Sequence, residues 1–335
     1  MNVLLIGGTR FLGPLLVLRL LAGGHQVTIL NRGTRPDPFG AFLARVEGLV
    51  ADRRSPQALA RAVNGRSFDV VVDFAAYEEA DVTGAMQALR GRVGHYFLIG
   101  TGQVYLVREG CPRPSAEHDY LGPLLPRPQD PHDLDEWNYG MGKRACEDAL
   151  HDAWQKARFP ATRLRIPMVS GERDYHRRME GYLFRMIDGG PILLPDGGAQ
   201  QTRHVYGGEV VRAITAMMGN PKTFGEAYNL CQEETPTLAE LLHTLADLLG
   251  ASPRFEAVSS SDLTAAGLPP SQVSPFSTRW MSFVEPSKAR ATLGFHHAPL
   301  REYLGRIVAS FVASPPAEPP QAYAAHRERE RVLVG

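Results

Sequence analysis

The chain has 335 residues, 44% of them hydrophobic and 21% charged, with 36 basic side chains against 36 acidic ones. Such a composition excludes a disordered chain, and the length suits one large α/β unit carrying a smaller one. A formal charge of zero leaves no basic footprint for counterion release and disfavours a nucleic-acid partner.

Taken along the chain, Val3–Ile6 reads as a buried strand, followed by Gly7-Gly8-Thr9-Arg10-Phe11-Leu12-Gly13 and an amphipathic segment to Ala22. Pro14 falls in the first helical turn and Gly23-Gly24 closes the helix, which makes the stretch strand, turn, helix. Gln26–Leu30 is a second strand, Asp69–Phe74 a fourth, and Tyr96–Ile99 a fifth, with helical character over Glu78–Leu89. Continuous apolar runs of this kind fit a parallel sheet covered on both faces. Leu106–Glu136 carries prolines and charges without a period, and its length suggests a mobile lid. Asn138–Arg158, Gly208–Met218 and Leu238–Leu249 read as helices, the last opening on Thr237 and Glu240 at capping-box spacing, and Thr162–Val169 as a strand. From Ser314 prolines and an Arg-Glu alternation leave little to bury, so the tail is expected to be mobile or an arm on the partner subunit of a homodimer.

No stretch approaches the roughly 20 apolar residues of a membrane span. Cys111, Cys146 and Cys231 are far apart and lack C-x-x-C spacing, pointing to a reduced, cytoplasmic protein with neither a disulfide framework nor a zinc cluster. His296-His297 and the acidic run Asp130, Asp133, Asp135, Glu136 lack ligand spacing, so no metal site is expected.

Two motifs carry chemistry. The first is the glycine loop from Gly7 to Gly13, directly after a strand and opening a helix. A dinucleotide needs glycine there, because a Cβ would block the tight turn and the approach of the pyrophosphate to backbone N–H groups. An acid normally ends the second strand to bind the adenosine ribose. Here Asn31-Arg32 stands in its place, which removes a carboxylate from a 2′-phosphate and offers it a guanidinium, so NADP is preferred and NAD is the alternative. Asp52 is placed to accept from the adenine amino group. The second motif is Tyr139-Gly140-Met141-Gly142-Lys143, whose Tyr and Lys lie one helical turn apart on one face. An ammonium beside a phenol is expected to lower its pKa and suit it to exchange a proton with an alcohol or carbonyl.

With these motifs on the page the chain resembles an extended short-chain dehydrogenase/reductase, the superfamily of nucleotide-sugar epimerases and dehydratases. The resemblance rests on the glycine loop, Phe74-Ala75-Ala76 after strand four, Thr101-Gly102-Gln103-Val104-Tyr105 after strand five, the Tyr139 and Lys143 pair, Leu164-Arg165 through Gly171, Gly225–Leu230, and Ser287–Arg290 with Leu293-Gly294-Phe295. Arginine in the middle of the glycine loop is most similar to an atypical branch that includes the chloroplast stem-loop-binding proteins. The resemblance implies a Rossmann-type doubly wound parallel sheet with a smaller C-terminal α+β substrate domain: residues 1–170, with 204–231 returning to them, then 171–313, and the tail 314–335. It implies hydride transfer at a hydroxyl or carbonyl carbon of a sugar-like or other small polar substrate. Thr101 would orient the substrate oxygen, Tyr139 would be the acid/base, and Lys143 would bind the nicotinamide ribose, with Phe74, Ala75, Ala76 and Pro167 completing the cofactor site. Gln103, Trp137 and Arg203 are candidate substrate contacts. Arg203 stands one place from Thr202, the position where the family often carries a phosphate-binding arginine. Sugar-nucleotide 4,6-dehydratases place two acids after the threonine, where this chain has Gly102 and Gln103, so that elimination is set aside. The rival reading is a non-redox nucleotide-binding or RNA-binding protein on the same fold.

Overall fold

In the structure, a computed structural model that describes residues 1–35 and 38–334, the alternating pattern becomes β1 (Asn2–Ile6), α1 (Leu12–Ala22), β2 (Gln26–Asn31), β3 (Val46–Val50), α2 (Pro56–Ala62), β4 (Phe68–Asp73), α3 (Glu79–Ala88), β5 (Val93–Ile99), the single turn α4 (Gln103–Leu106), α5 (Pro131–Ala157) and β6 (Ala161–Arg165). There follow β7 (Met168–Ser170), α6 (Arg178–Ile187), β8 (Ile192–Pro195), β9 (His204–Tyr206), α7 (Gly207–Met217), β10 (Ala227–Asn229), α8 (Leu238–Leu249), β11 (Phe255–Val258), α9 (Ser260–Ala265), α10 (Pro270–Val273), α11 (Ser287–Leu293), α12 (Leu300–Ala313) and α13 (Tyr323–Val334).

Seven strands form one parallel sheet in the order β10-β6-β5-β4-β1-β2-β3. Val3, Leu4 and Leu5 of β1 and Val70, Val71 and Val72 of β4 have no solvent exposure, as strands covered on both faces require. The chain runs outward from β1 in opposite directions through β2 and β4. That reversal opens a crevice beyond the carboxyl ends of the strands, where doubly wound sheets bind ligands.

The chain divides into two compact units: Met1–Pro167 with Gly207–Cys231 and Ser282–His296, and Met168–Tyr206 with Gln232–Met281 and His297–Gly335. The second unit has two small parallel ladders, β7 with β9 and β8 with β11, and α8 lies against α6 and α12. The return of 282–296 to the first unit had no counterpart in the sequence pattern.

Two segments differ from expectation. The stretch from Leu106 to Glu136, expected as a lid, is tied to its neighbours as a strap. Arg108 bridges Leu124, Ser115 bridges Val284, and Ser115 and Tyr120 are buried. The Tyr120 hydroxyl donates to Asp148 at 2.7 Å, and Arg144 donates to the Tyr120 carbonyl at 2.8 Å. Its last residues already belong to α5, which starts at Pro131 behind the cap Asp130, so the helix begins seven residues before Asn138. The tail, whose final residue Gly335 lies outside the described residues, is helical over α13. Its Arg-Glu alternation is not simply solvated: Arg327 is 2% exposed and Glu330 fully buried. Arg327 donates to Asp188 at 2.6 and 2.7 Å, to Glu330 at 2.6 Å and to the Pro191 carbonyl at 2.6 Å, and Arg185 reaches Glu330 at 2.6 Å. Each buried charge has an opposite partner, which is the condition for burying it at all.

Among the described residues no helix is long and apolar enough to cross a membrane, and no group of three or more His, Cys, Asp or Glu is arranged to hold a metal ion.

Candidate active site

The glycine loop leaves β1 with Gly7 and Gly8 at φ +79° and +77°, a left-handed conformation that glycine adopts without strain. A Cβ on Gly7 would come 3.1 Å from the Ala75 side chain, and one on Gly13 would run into the backbone of Gly8. The turn therefore closes on itself, with Gly13 N–H on the Arg10 carbonyl at 2.9 Å. Phe11 caps α1 with φ 45° and offers no side-chain hydrogen bond. The first N–H groups of α1, flanked by Thr9, Arg10 and the buried Leu12, form a backbone cradle that would be filled by any larger residue at the glycines, and this fits a dinucleotide pyrophosphate.

The other cofactor candidates line the same carboxyl edge. Phe74 and Ala75 follow β4 against Gly7 and Gly8, Ala76 is buried, and Pro167 follows β6. Asn31 ends β2 and accepts the Gly33 N–H at 2.6 Å, while Arg32 is exposed beside it. Asp52 is exposed and accepts the Arg54 N–H at 3.0 Å.

Thr101 follows β5, and its hydroxyl acts on the Tyr139 phenol. The glycines of the second motif explain how α5 comes this near. A Cβ on Gly140 would lie 2.6 Å from Val107 Cγ1 and 3.1 Å from the Gln103 carbonyl, and one on Gly142 would overlap the Tyr77 carbonyl oxygen. Close backbone approach delivers Lys143, 3% exposed, to the carbonyls of Ala76 at 2.7 Å and Ile99 at 3.1 Å. Thr101, Tyr139 and Lys143 are thus brought together at the ends of β4 and β5.

The electrostatics differ from the simple pair. Although Tyr139 as a residue is 37% exposed, desolvation of its phenol pushes it up to about 12, the Thr101 hydroxyl opposes that rise, and Glu136 adds to it. Lys143 does not lower it: the ammonium lies 5.9 Å from the Tyr139 ring centroid and 4.7 Å from that of Tyr77, with two carbonyls taking its donors. Burial in turn holds the Lys143 pKa below its ordinary value.

Of the candidate substrate contacts, Gln103 is 5% exposed. Its N–H donates to Thr101 Oγ1 at 3.2 Å and its Nε2 to Glu136 at 2.8 Å. The Trp137 indole donates to the Leu125 carbonyl at 3.1 Å, fastening the strap to α5. Arg203 is turned to Thr235 Oγ1 at 2.7 Å and the Glu233 carbonyl at 2.9 Å, so the structure uses it to pin the chain after Gln232.

Three residues at this edge were not singled out in the sequence. Tyr77 stands 6.3 Å from Tyr139, ring to ring, and its place just after Phe74-Ala75-Ala76 was the available signal. Arg53 donates to both Asp73 oxygens at 2.6 and 2.8 Å and contacts Asp81. Asp73 also takes the Ala75 N–H and the Tyr96 hydroxyl, and Asp81 those of Tyr77 and Glu78. This buried network holds the turn that carries Phe74–Tyr77. Glu136, dismissed as part of an acidic run, is the third.

The NAD dependent epimerase/dehydratase family matches residues 3–231. A chloroplast stem-loop binding protein of 41 kDa from Arabidopsis thaliana is 27% identical over 73% of this chain, which spans 62% of that protein's length. An uncharacterized UDP-glucose epimerase of Bacillus subtilis is 23% identical over 75% of this chain and 83% of its own. The fold is similar to that of the UDP-glucose 4-epimerase of Thermotoga maritima, solved with UDP-glucose (TM-score 0.73, 19% identity, 94% of this chain and 100% of that one). It is equally similar to the dTDP-glucose 4,6-dehydratase of Streptomyces venezuelae, solved with NAD (TM-score 0.72, 20% identity, 94% and 98%). A glycine cradle at the end of β1, a Thr–Tyr–Lys set at the ends of β4 and β5, and a family match over most of the first unit agree: the chain belongs to the NAD dependent epimerase/dehydratase family.

Proposed function

We propose that the protein is an epimerase or reductase acting on a secondary alcohol or ketone of a sugar-like substrate, with NADP preferred over NAD. The observation that carries the reading is the close approach of α5 that delivers buried Lys143 to the carbonyls of Ala76 and Ile99, one helical turn from Tyr139 and beside the glycine cradle. The nicotinamide, when bound, supplies the acceptor or donor of hydride. Gly7–Gly13 would hold the pyrophosphate, Lys143 the nicotinamide ribose, and Phe74–Ala76 with Pro167 the wall of the site. Thr101 orients the substrate oxygen, and Tyr139 gives or takes its proton. With the phenol at about 12, Tyr139 is protonated at neutral pH and set as the acid of the reducing direction.

Support for NADP comes from Asn31-Arg32, where an exposed guanidinium stands at the end of β2 in place of an acid. The 4,6-dehydratase reaction is disfavoured because Gly102 and Gln103 stand where its two acids would follow the threonine. Calorimetric titration with NADP and NAD, then incubation with UDP-glucose, dTDP-glucose and UDP-glucuronic acid followed by separation of epimers, tests the reading. Absence of cofactor binding would refute it and favour the non-redox alternative.

A further inference from the structure

We infer that Tyr77 is a positioning residue of the active site, whose ring lies on the Lys143 ammonium and keeps that side chain charged and in place. The inference deepens the function proposed above and rests on it, since there Lys143 holds the nicotinamide ribose. It starts from two distances: the ammonium lies 4.7 Å from the centre of the Tyr77 ring and 5.9 Å from that of Tyr139. The attraction of a cation to an aromatic face fades at about 6 Å, so the nearer ring is the counterpart of the charge. Lys143 is 3% exposed and Tyr77 50%. A tyrosine that leaves half its surface in solvent adds little to the core, and its contact with a buried ammonium asks for another reason.

The ring is set in place through its own backbone. The Tyr77 and Glu78 N–H groups donate to Asp81 Oδ2 at 2.7 and 3.1 Å, and Arg53 holds Asp81 at 3.3 Å. On the other side, the Tyr77 carbonyl packs against Gly142 so closely that a Cβ there would overlap it. The preceding carbonyl, that of Ala76, accepts from Lys143 Nζ at 2.7 Å, and Ile99 accepts at 3.1 Å. The turn after β4 therefore brings both an oxygen and a π-face to the same ammonium.

A lysine buried this deeply tends to lose its proton, and burial does hold the Lys143 pKa below its ordinary value. Tyr77 is the largest influence in the opposite direction. The other groups facing the ammonium are the Tyr139 ring, Cys146 one turn along α5 and Asp73 at the end of β4, the last two favouring the charge, and Arg53, which opposes it. A neutral amine would give up the charge and one of the three N–H donors that an ammonium offers. By favouring the charged form, Tyr77 sets the upper pH limit at which Lys143 binds ribose hydroxyls: that binding is lost as pH rises through the Lys143 pKa, and at lower pH once the ring is gone.

The test needs neither substrate nor cofactor. The chain has four lysines, Lys143, Lys156, Lys222 and Lys288, so nuclear magnetic resonance of the full-length protein with lysine isotopically labelled at Cε follows the Lys143 titration directly. Replacing Lys156, Lys222 and Lys288 by arginine in turn assigns its signal. The midpoint should fall by about one pH unit in Tyr77→Leu, the worth of a desolvated cation–π contact, and Tyr77→Phe, which keeps the ring, should restore it. In calorimetric titrations the loss of NADP or NAD binding at high pH should move down with the midpoint in Tyr77→Leu. An unshifted midpoint in Tyr77→Leu, or an equal fall in Tyr77→Phe, overturns the inference. Where Tyr77→Leu does not fold, pentafluorophenylalanine at the same position keeps the ring's shape and reverses its charge distribution; the midpoint should then fall, and one that stays in place overturns the inference. If the native protein binds neither cofactor, the proposed function fails by itself, and the lysine titration still decides the role of Tyr77.

Discussion

Adding one methyl group at Gly142 tests whether close backbone approach by α5 builds the active site. The new Cβ would overlap the Tyr77 carbonyl oxygen, and an ordinary carbon–oxygen contact is restored only if helix or turn moves by about 1 Å. Overpacking of this kind costs about 1–3 kcal/mol, while Gly→Ala in a helix interior returns close to 1 kcal/mol. Gly84 in α3 is the matched control, since a Cβ there meets nothing within 4 Å. Gly84→Ala should gain stability and Gly142→Ala should lose it, and the gap between the two isolates the steric cost. Both lie in one compact unit, so urea unfolding followed by tryptophan fluorescence compares them on the same transition. The displacement also separates Lys143 from the Ala76 carbonyl and Tyr139 from Thr101, and a 1 Å misplacement lowers turnover by about 100-fold. Calorimetric titration should show weaker cofactor binding in Gly142→Ala only. Equal stability of the two variants, with wild-type cofactor affinity in both, would refute the argument.

Four further outcomes are expected. Tyr139→Phe keeps the ring and loses the proton, and kcat on whichever sugar is turned over should drop by roughly two to four decades with cofactor affinity little changed. Thr101→Val removes the hydroxyl that opposes desolvation at the phenol, so ultraviolet titration should place Tyr139 ionisation above its wild-type position. Arg32→Ala should erase the proposed preference for NADP over NAD in paired titrations while leaving NAD affinity as it was. Burial pushes the Asp188 carboxyl up, but hydrogen bonds from Arg327, Tyr323 and the Gly190 N–H outweigh it and hold the group well below the usual carboxylate range. Its contribution is present above the unfolded pKa and fades as pH falls below about 4. Limited proteolysis should accordingly release α13 earlier at low pH in the wild type, and at neutral pH in Asp188→Asn.

The local features of the site could be read from the sequence. Buried parallel strands are short continuous apolar runs, a tight phosphate turn demands glycines where Gly7, Gly8 and Gly13 stand, and Tyr139 and Lys143 share a helix face whatever surrounds them. What they could not show was the phenol's environment. Lys143 appeared to be its tuner, yet the fold spends that ammonium on the carbonyls of Ala76 and Ile99, and those partners come from other strands. Gln103 meeting Glu136, Arg53 meeting Asp73, Ser282–His296 returning to the first unit, and Arg327 with Glu330 buried beneath a charged tail are likewise contacts between residues distant in the chain. A period or a spacing registers which face a residue takes within its own element. Which residue waits on the facing element depends on how the elements pack, and only the tertiary structure decided that Glu136 of α5 would meet Gln103, whose N–H holds Thr101.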